Sequence, residues 1–175
     1  MSTPVPSAAP FALSTRILAG SLMGALVVIG VALSVVLPLD APVSVVVLGA
    51  QLLAGLAAHL VIEAVGYRTP ALATDLTDDE AAAQARSRWQ PLMVTRFALA
   101  ELVAIASIAA AFVIEDGGFV TYLGGAVVSL ALMAVHVWPG SRAVGKVAAS
   151  LESGGKRSGL REEFGVSSPG PVQRL

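Results

Sequence analysis

Charge is the feature that most limits what this chain can fold into, because it is missing over long stretches. No Asp, Glu, Lys or Arg occurs in the 23 residues between Arg16 and Asp40, the 22 between Asp40 and Glu63, or the 25 between Asp116 and Arg142. A bilayer core is crossed by about 20 consecutive apolar helical residues. Only 13% of the 175 residues are charged and 55% are hydrophobic, and mean hydropathy is +0.79. A soluble domain carries roughly 25% charged residues. This composition excludes a soluble enzyme, a disordered chain and a disulfide-rich secreted domain. It specifies an all-α, polytopic membrane protein.

Four transmembrane helices are expected, over about 16–37, 43–66, 91–114 and 119–138. Pro38 ends the first, and Pro139-Gly140 the fourth. The connections 38–42 and 115–118 are short and rich in Pro or Gly, so each turns a helix back on itself and gives two antiparallel hairpins. Residues 1–15 contain Pro4, Pro6 and Pro10 and no Lys or Arg, which reads as a disordered tail and not as the charged start of a cleaved leader. In the loop 67–90, Thr77-Asp-Asp-Glu80 has the form of a capping box, and predicts a connector helix from Asp78 that ends before Pro91. Residues 139–152 place Val144, Val147, Ala148 and Leu151 at helical spacing beside Arg142 and Lys146, an amphipathic extension suited to an anionic membrane surface. Residues 153–175 read as a mostly disordered tail with a helical turn around 160–164.

Orientation follows from the eleven Lys and Arg residues. None lies in the 38–42 or 115–118 turns, and positive residues stay cytoplasmic. Both termini and the 67–90 loop are therefore expected in the cytoplasm of a bacterial cell, with the four spans in its inner membrane. Tyr67, Trp89 and Trp138 fall near the inner span ends and Tyr122 near the outer one, as interfacial aromatics do. A net charge of −1 argues against nucleic acid as a partner, and the absence of cysteine removes thiolate metal sites, disulfides and lipidated thiols. The bilayer itself is the expected partner, with a second membrane protein or another copy of the chain beside it. Gly20 and Gly24 form a literal GxxxG on the first span, a spacing through which helix backbones approach closely. Gly125 and Ser129 offer a similar small stripe on the fourth.

Ionisable groups inside spans need a reason. Five occur: His59, Glu63, Arg96, Glu101 and His136. Counted from the inner helix ends they lie at about 10, 5, 8, 15 and 3 Å depth respectively. They are expected to form one intramembrane polar network. His59 and Glu63 share a face, and the similar depth of Glu63 and Arg96 permits an ion pair between them. Glu101, near mid-membrane, calls for a partner in His59 or Arg96. His-x-x-x-Glu supplies only two metal ligands and no H-E-x-x-H is present, so no metal site, cofactor site or catalytic residue is assigned.

Four short spans with one deep glutamate are similar to the small multidrug-resistance transporters, but the first helix here has no carboxylate, and no residue role transfers. The stretch from His136-Val-Trp-Pro through Leu151-Glu to Phe164-Gly resembles uncharacterised four-span integral membrane proteins of GC-rich bacteria, a resemblance that implies architecture and no activity. Two functions compete. One is a structural, accessory or assembly protein without catalysis. The other is a small oligomeric proton- or ion-coupled transporter or channel using Glu101 and His59.

Overall fold

The computed structural model describes residues 9–42 and 44–167. They form α1 (Ala9–Val36), α2 (Val45–Val65), α3 (Asp78–Val113), α4 (Phe119–His136), α5 (Ser141–Leu151), a short 3₁₀ turn (Glu152–Gly154) and α6 (Leu160–Phe164), with no strand among the described residues. Helices α1 to α4 are each long and apolar enough to cross a membrane. Large side chains left exposed on them, such as Val28, Val35, Leu52, Leu53 and Val113, are what lipid would cover.

Helices α2, α3 and α4 pack on one another, with α3 against α4 the most extensive pairing. The reason is small residues. A Cβ at Gly125 of α4 would overlap the Ser107 side chain of α3 and lie 3.0 Å from Val103 O. One turn further along, the Ala104 N–H donates to Ser129 Oγ at 2.9 Å. The expected small stripe of α4 is thus in use. The one on α1 is not: a Cβ at Gly20 or Gly24 would meet nothing within 4 Å. Among the described residues the GxxxG packs against no helix, because α1 turns other residues, Ala19 and Leu26 among them, inward.

Of the two hairpins, α3–α4 is a packed pair, whereas α1 and α2 are joined by their turn without packing along each other. Helix α1 packs along α4, and its start touches α6, while α2 packs on α3 and α4. The turns after α1 and α3 lie side by side, the Phe119 N–H donating to Pro38 O at 2.9 Å. Gly118 lets them touch, since a Cβ there would overlap Ala41 and stand 2.8 Å from Pro38 O. This end carries Asp40, Glu115 and Asp116 and is the acidic end; the other, with Arg142 and Lys146, is the basic end.

Three expectations about the basic end need correction. First, the connector helix and third span are one helix of 36 residues, with Pro91 inside it. An internal proline costs a helix about 3 kcal/mol. Here Ala81, Ala85, Trp89, Met93 and Arg96 form an unbroken buried face across it, and packing prevails over the local preference. Thr77 does cap the start as expected, accepting from Glu80 N while Glu80 accepts from Thr77 N. Second, α1 begins at Ala9, so part of the supposed tail is helical; residues 1–8 lie outside the described ones. Phe11 meets Phe164 edge-on at 5.8 Å and Arg16 Nη2 donates to Phe164 O at 3.0 Å, which holds that extra length in place.

Third, the segment after the fourth span is ordered as far as Ser167 and closes the bundle as a cap; residues 168–175 lie outside the described ones. The apolar face of α5 (Val144, Val147, Ala148, Leu151) turns onto protein and not onto lipid. Full burial of a Val or Leu away from water is worth about 1.5–3 kcal/mol, and here the end of the bundle provides it. The 67–76 segment folds back on this helix through Leu72 N–H to Leu151 O at 2.8 Å. Gly155 and Gly159, at φ of 92° and 67°, make the turns that bring α6 home. The aromatic belt is also thinner than expected: Trp89, Tyr67 and Tyr122 are buried, and Trp138 alone of the four is exposed. Tyr122 instead donates to Leu26 O at 2.8 Å and ties α4 to α1.

Candidate functional site

The polar groups converge where α2 and α4 end. Arg96, on α3, is fully buried, yet no carboxylate lies within ion-pair distance of it among the described residues. Its Nε donates to His136 O at 2.7 Å and its Nη1 to Gly66 O at 2.8 Å. His136 is the last residue of α4 and Gly66 the C-cap of α2. Carbonyls at a helix C-terminus lack partners and carry the negative end of the macrodipole. One guanidinium therefore satisfies two helix ends, and two helix dipoles stabilise its charge. The Tyr67 and Trp89 rings, 4.8 and 5.3 Å from the guanidinium carbon, complete its surroundings.

Next to it runs a chain of neutral hydrogen bonds. His59 Nδ1 and His136 Nε2 are 2.8 Å apart, and His136 Nδ1 is 2.7 Å from the Tyr67 hydroxyl. A neutral imidazole has one N–H and one acceptor nitrogen. The chain runs either from the Tyr67 O–H through His136 to His59, or in reverse from the His59 N–H to the Tyr67 oxygen. Tyr67 lies just past the end of α2, and burial pushes its phenol above the ordinary value, which keeps it a hydroxyl.

Glu63 closes the group. It accepts from Arg142 Nη2 at 2.8 Å and from Lys146 Nζ, both on α5, and its Oε1 is 3.8 Å from His136 Nδ1. The anticipated Glu63–Arg96 ion pair is therefore not formed. Depth placed the two side by side, but the buried face of α3 points Arg96 at the helix ends while Glu63 faces α5. Glu101 stands apart as well. It is half-buried and has no hydrogen bond or ion pair among the described residues, so four of the five anticipated groups meet and the fifth does not.

The sequence reading missed three members. Tyr67 was available as the next position on the 59, 63, 67 stripe. Arg142 and Lys146 are four apart on one face of α5, a spacing that suits a shared carboxylate. A second polar tie lies nearer the acidic end: Gln51 Nε2 donates to Ser107 Oγ at 2.9 Å and to Thr121 O at 2.7 Å, joining α2, α3 and α4.

His59, Glu63 and His136 offer metal-ligand atoms within 4.8 Å of one another, so His136 supplies the third ligand that the sequence did not place. The charges work against a cation there. Arg142 and Lys146 already occupy the carboxylate, and a dication would have to displace both while Arg96 remains close. The arrangement is better suited to hydrogen bonding by neutral imidazoles and to meeting an additional anion. No family model, curated protein or solved structure matches this chain.

Proposed function

We propose that this protein is a structural or accessory subunit of a bacterial inner-membrane assembly, with both termini and the α5–α6 cap in the cytoplasm. One observation carries the reading: the ionisable groups at the inner span ends hold the fold together. Arg96 joins the ends of α2 and α4, and Glu63 fastens α5 to them. What this produces is a membrane-anchored platform whose cytoplasmic cap is fixed in orientation. The eleven positive residues, none of them in the 38–42 or 115–118 turns, support the orientation. A proton- or ion-coupled path through Glu101 and His59 draws less support, because His59 is bonded to His136 and Glu101 to neither histidine.

The test is purification of the native protein in mild detergent, with cross-linking before lysis. A partner recovered in fixed stoichiometry, and lost when the cap residues 141–167 are removed, is the expected result. Proton flux in proteoliposomes that is abolished by Glu101→Gln, with no partner recovered, would replace this reading with the transport one. Reporter fusions after Asp78 and Asp116 check the orientation; activity of a periplasmic reporter at Asp78 would invert it.

A further inference from the structure

Between α2 and α4 an apolar groove runs along the outside of the bundle. Its two stretches, of about 340 and 380 Å³, share Leu52 and Val128. On α2 it passes Leu48, Leu52 and Leu56 and ends at His59, eleven residues or about 16 Å along the helix. That is close to one leaflet of a core about 30 Å thick. Glu63 is the next position on the same stripe, one turn beyond His59. There the apolar walls give way to Arg142 and Lys146, which are part-exposed and both paired with Glu63.

The charges of that cluster do not balance. Two cations face one carboxylate, leaving one positive charge at the level where phospholipid headgroups sit. His59 adds a donor or acceptor, since its Nδ1 is taken by His136 and its other ring nitrogen has no hydrogen bond among the described residues. A guanidinium beside an ammonium suits a phosphodiester, which accepts from both.

We infer that the α2–α4 groove is a binding site for an anionic phospholipid, with one acyl chain along Leu48 to Leu56 and the phosphate on Arg142 and Lys146 beside His59. The lipid's single negative charge meets the positive charge that Glu63 leaves unpaired, and its acyl chain covers an apolar seam that none of the described residues covers. A zwitterionic lipid brings its own cation to the same place and is repelled by Arg142 and Lys146. A preference of at least about fivefold for an anionic headgroup follows from one lysine or arginine near a membrane surface.

The experiment uses the full chain, delipidated in mild detergent and titrated with dioleoyl phosphatidylglycerol or dioleoyl phosphatidylcholine. Bound lipid is counted by native mass spectrometry and the melting temperature is followed in parallel. One phosphatidylglycerol per chain, held at least about fivefold more tightly than phosphatidylcholine and raising the melting temperature, is expected. Inorganic phosphate and glycerol phosphate, which have the anion without the chains, should raise it little. The double variant R142Q/K146Q should lose the headgroup preference. Ala131→Phe, which fills the groove from its exposed α4 wall, should lose retention while melting normally without lipid. Equal retention of both lipids, or a preference unchanged in R142Q/K146Q, overturns the site; a shift as large with inorganic phosphate, or retention unchanged in Ala131→Phe, overturns the acyl-chain half of it.

Discussion

The two ends of the bundle hold their helices together by different means. At the acidic end, helices meet through small residues and neutral hydrogen bonds: Gly125 against Ser107, Gly118 against the first turn, Gln51 across to Ser107 and Thr121. At the basic end, a buried guanidinium, two imidazoles and a carboxylate do the joining, and a cap of short helices closes over them. The contrast has a physical source. In lipid every buried charge must be compensated by protein, so charge is usable only where helix ends, loops and cap residues can supply partners. Arg96 sits at such a place. The same guanidinium placed further along α3, level with the middle of α2 and α4, would find their carbonyls already bonded within the helices.

At the basic end, Arg96 is the position whose loss costs most. Arg96→Met keeps much of the volume but strands the Gly66 and His136 carbonyls, and a loss of about 2–5 kcal/mol in stability is expected. Arg96→Lys should fall between the two, since an ammonium lacks the fork that reaches both helix ends. Thermal melting of the detergent-solubilised protein measures this. A melting temperature for Arg96→Met within a degree of wild type would mean that the helix ends do not depend on the guanidinium, and the contrast between the ends would collapse.

The acidic end is probed by bulk. Gly125→Ala places a methyl on the Ser107 side chain and forces α3 and α4 apart, at about 1–3 kcal/mol. Because Ser107 also accepts from Gln51, the displacement loosens α2 as well. Ser107→Gly in the same chain removes the overlap and should recover part of the loss. Failure of that rescue would show that close backbone approach is not what holds this end.

How much of this was legible beforehand follows from the same physics. Three of the spans were readable because each falls largely within an uncharged run of 22 residues or more, and 91–114 because it stays apolar enough despite Arg96 and Glu101. The capping box at Thr77 was readable because both partners lie within three residues. Pro91 misled because its local rule is reliable and the buried face that overrides it is tertiary. Glu63 misled for a different reason. Its depth is set by sequence, but its direction around the bundle depends on which helices are neighbours, and the packing of α1 on α4 in place of α2 was not deducible from loop lengths. Arg96 could not be assigned its true partners at all, because a helix C-terminus is invisible as an acceptor when residues are counted by side-chain charge.

A smaller effect separates the cap from the bundle it closes. Glu152 is half-buried, which raises its pKa, but the Ser158 hydroxyl and N–H and the Arg161 guanidinium outweigh this and hold it below the ordinary carboxylate range. A lowered folded-state value means that the carboxylate stabilises the folded cap above its unfolded pKa of about 4.3, and that this contribution disappears as pH falls through the lower folded value. Acidification should therefore release α6 before it affects the spans. Trp89 reports it, being packed against Phe164 of α6 at 4.8 Å. A fluorescence change as pH falls below the ordinary glutamate range, absent from Glu152→Gln, is expected. A change that persists in Glu152→Gln would place the acid-sensitive group elsewhere.

The smallest effect belongs to the motif that looked most like a packing device. Gly24→Ile should leave the melting of the monomer unchanged, since a side chain there enters open space on the lipid face of α1. Set beside Gly125→Ala, it compares two small stripes of similar appearance that differ only in what stands opposite them. Size-exclusion with light scattering in the same detergent separates the two consequences left for Gly24. An unchanged oligomer size together with unchanged melting means that GxxxG is here a by-product of a Gly- and Ala-rich composition. A smaller oligomer with unchanged monomer stability means that the stripe joins copies, and then α1, which stands outside the α2–α4 core, is the helix through which they meet.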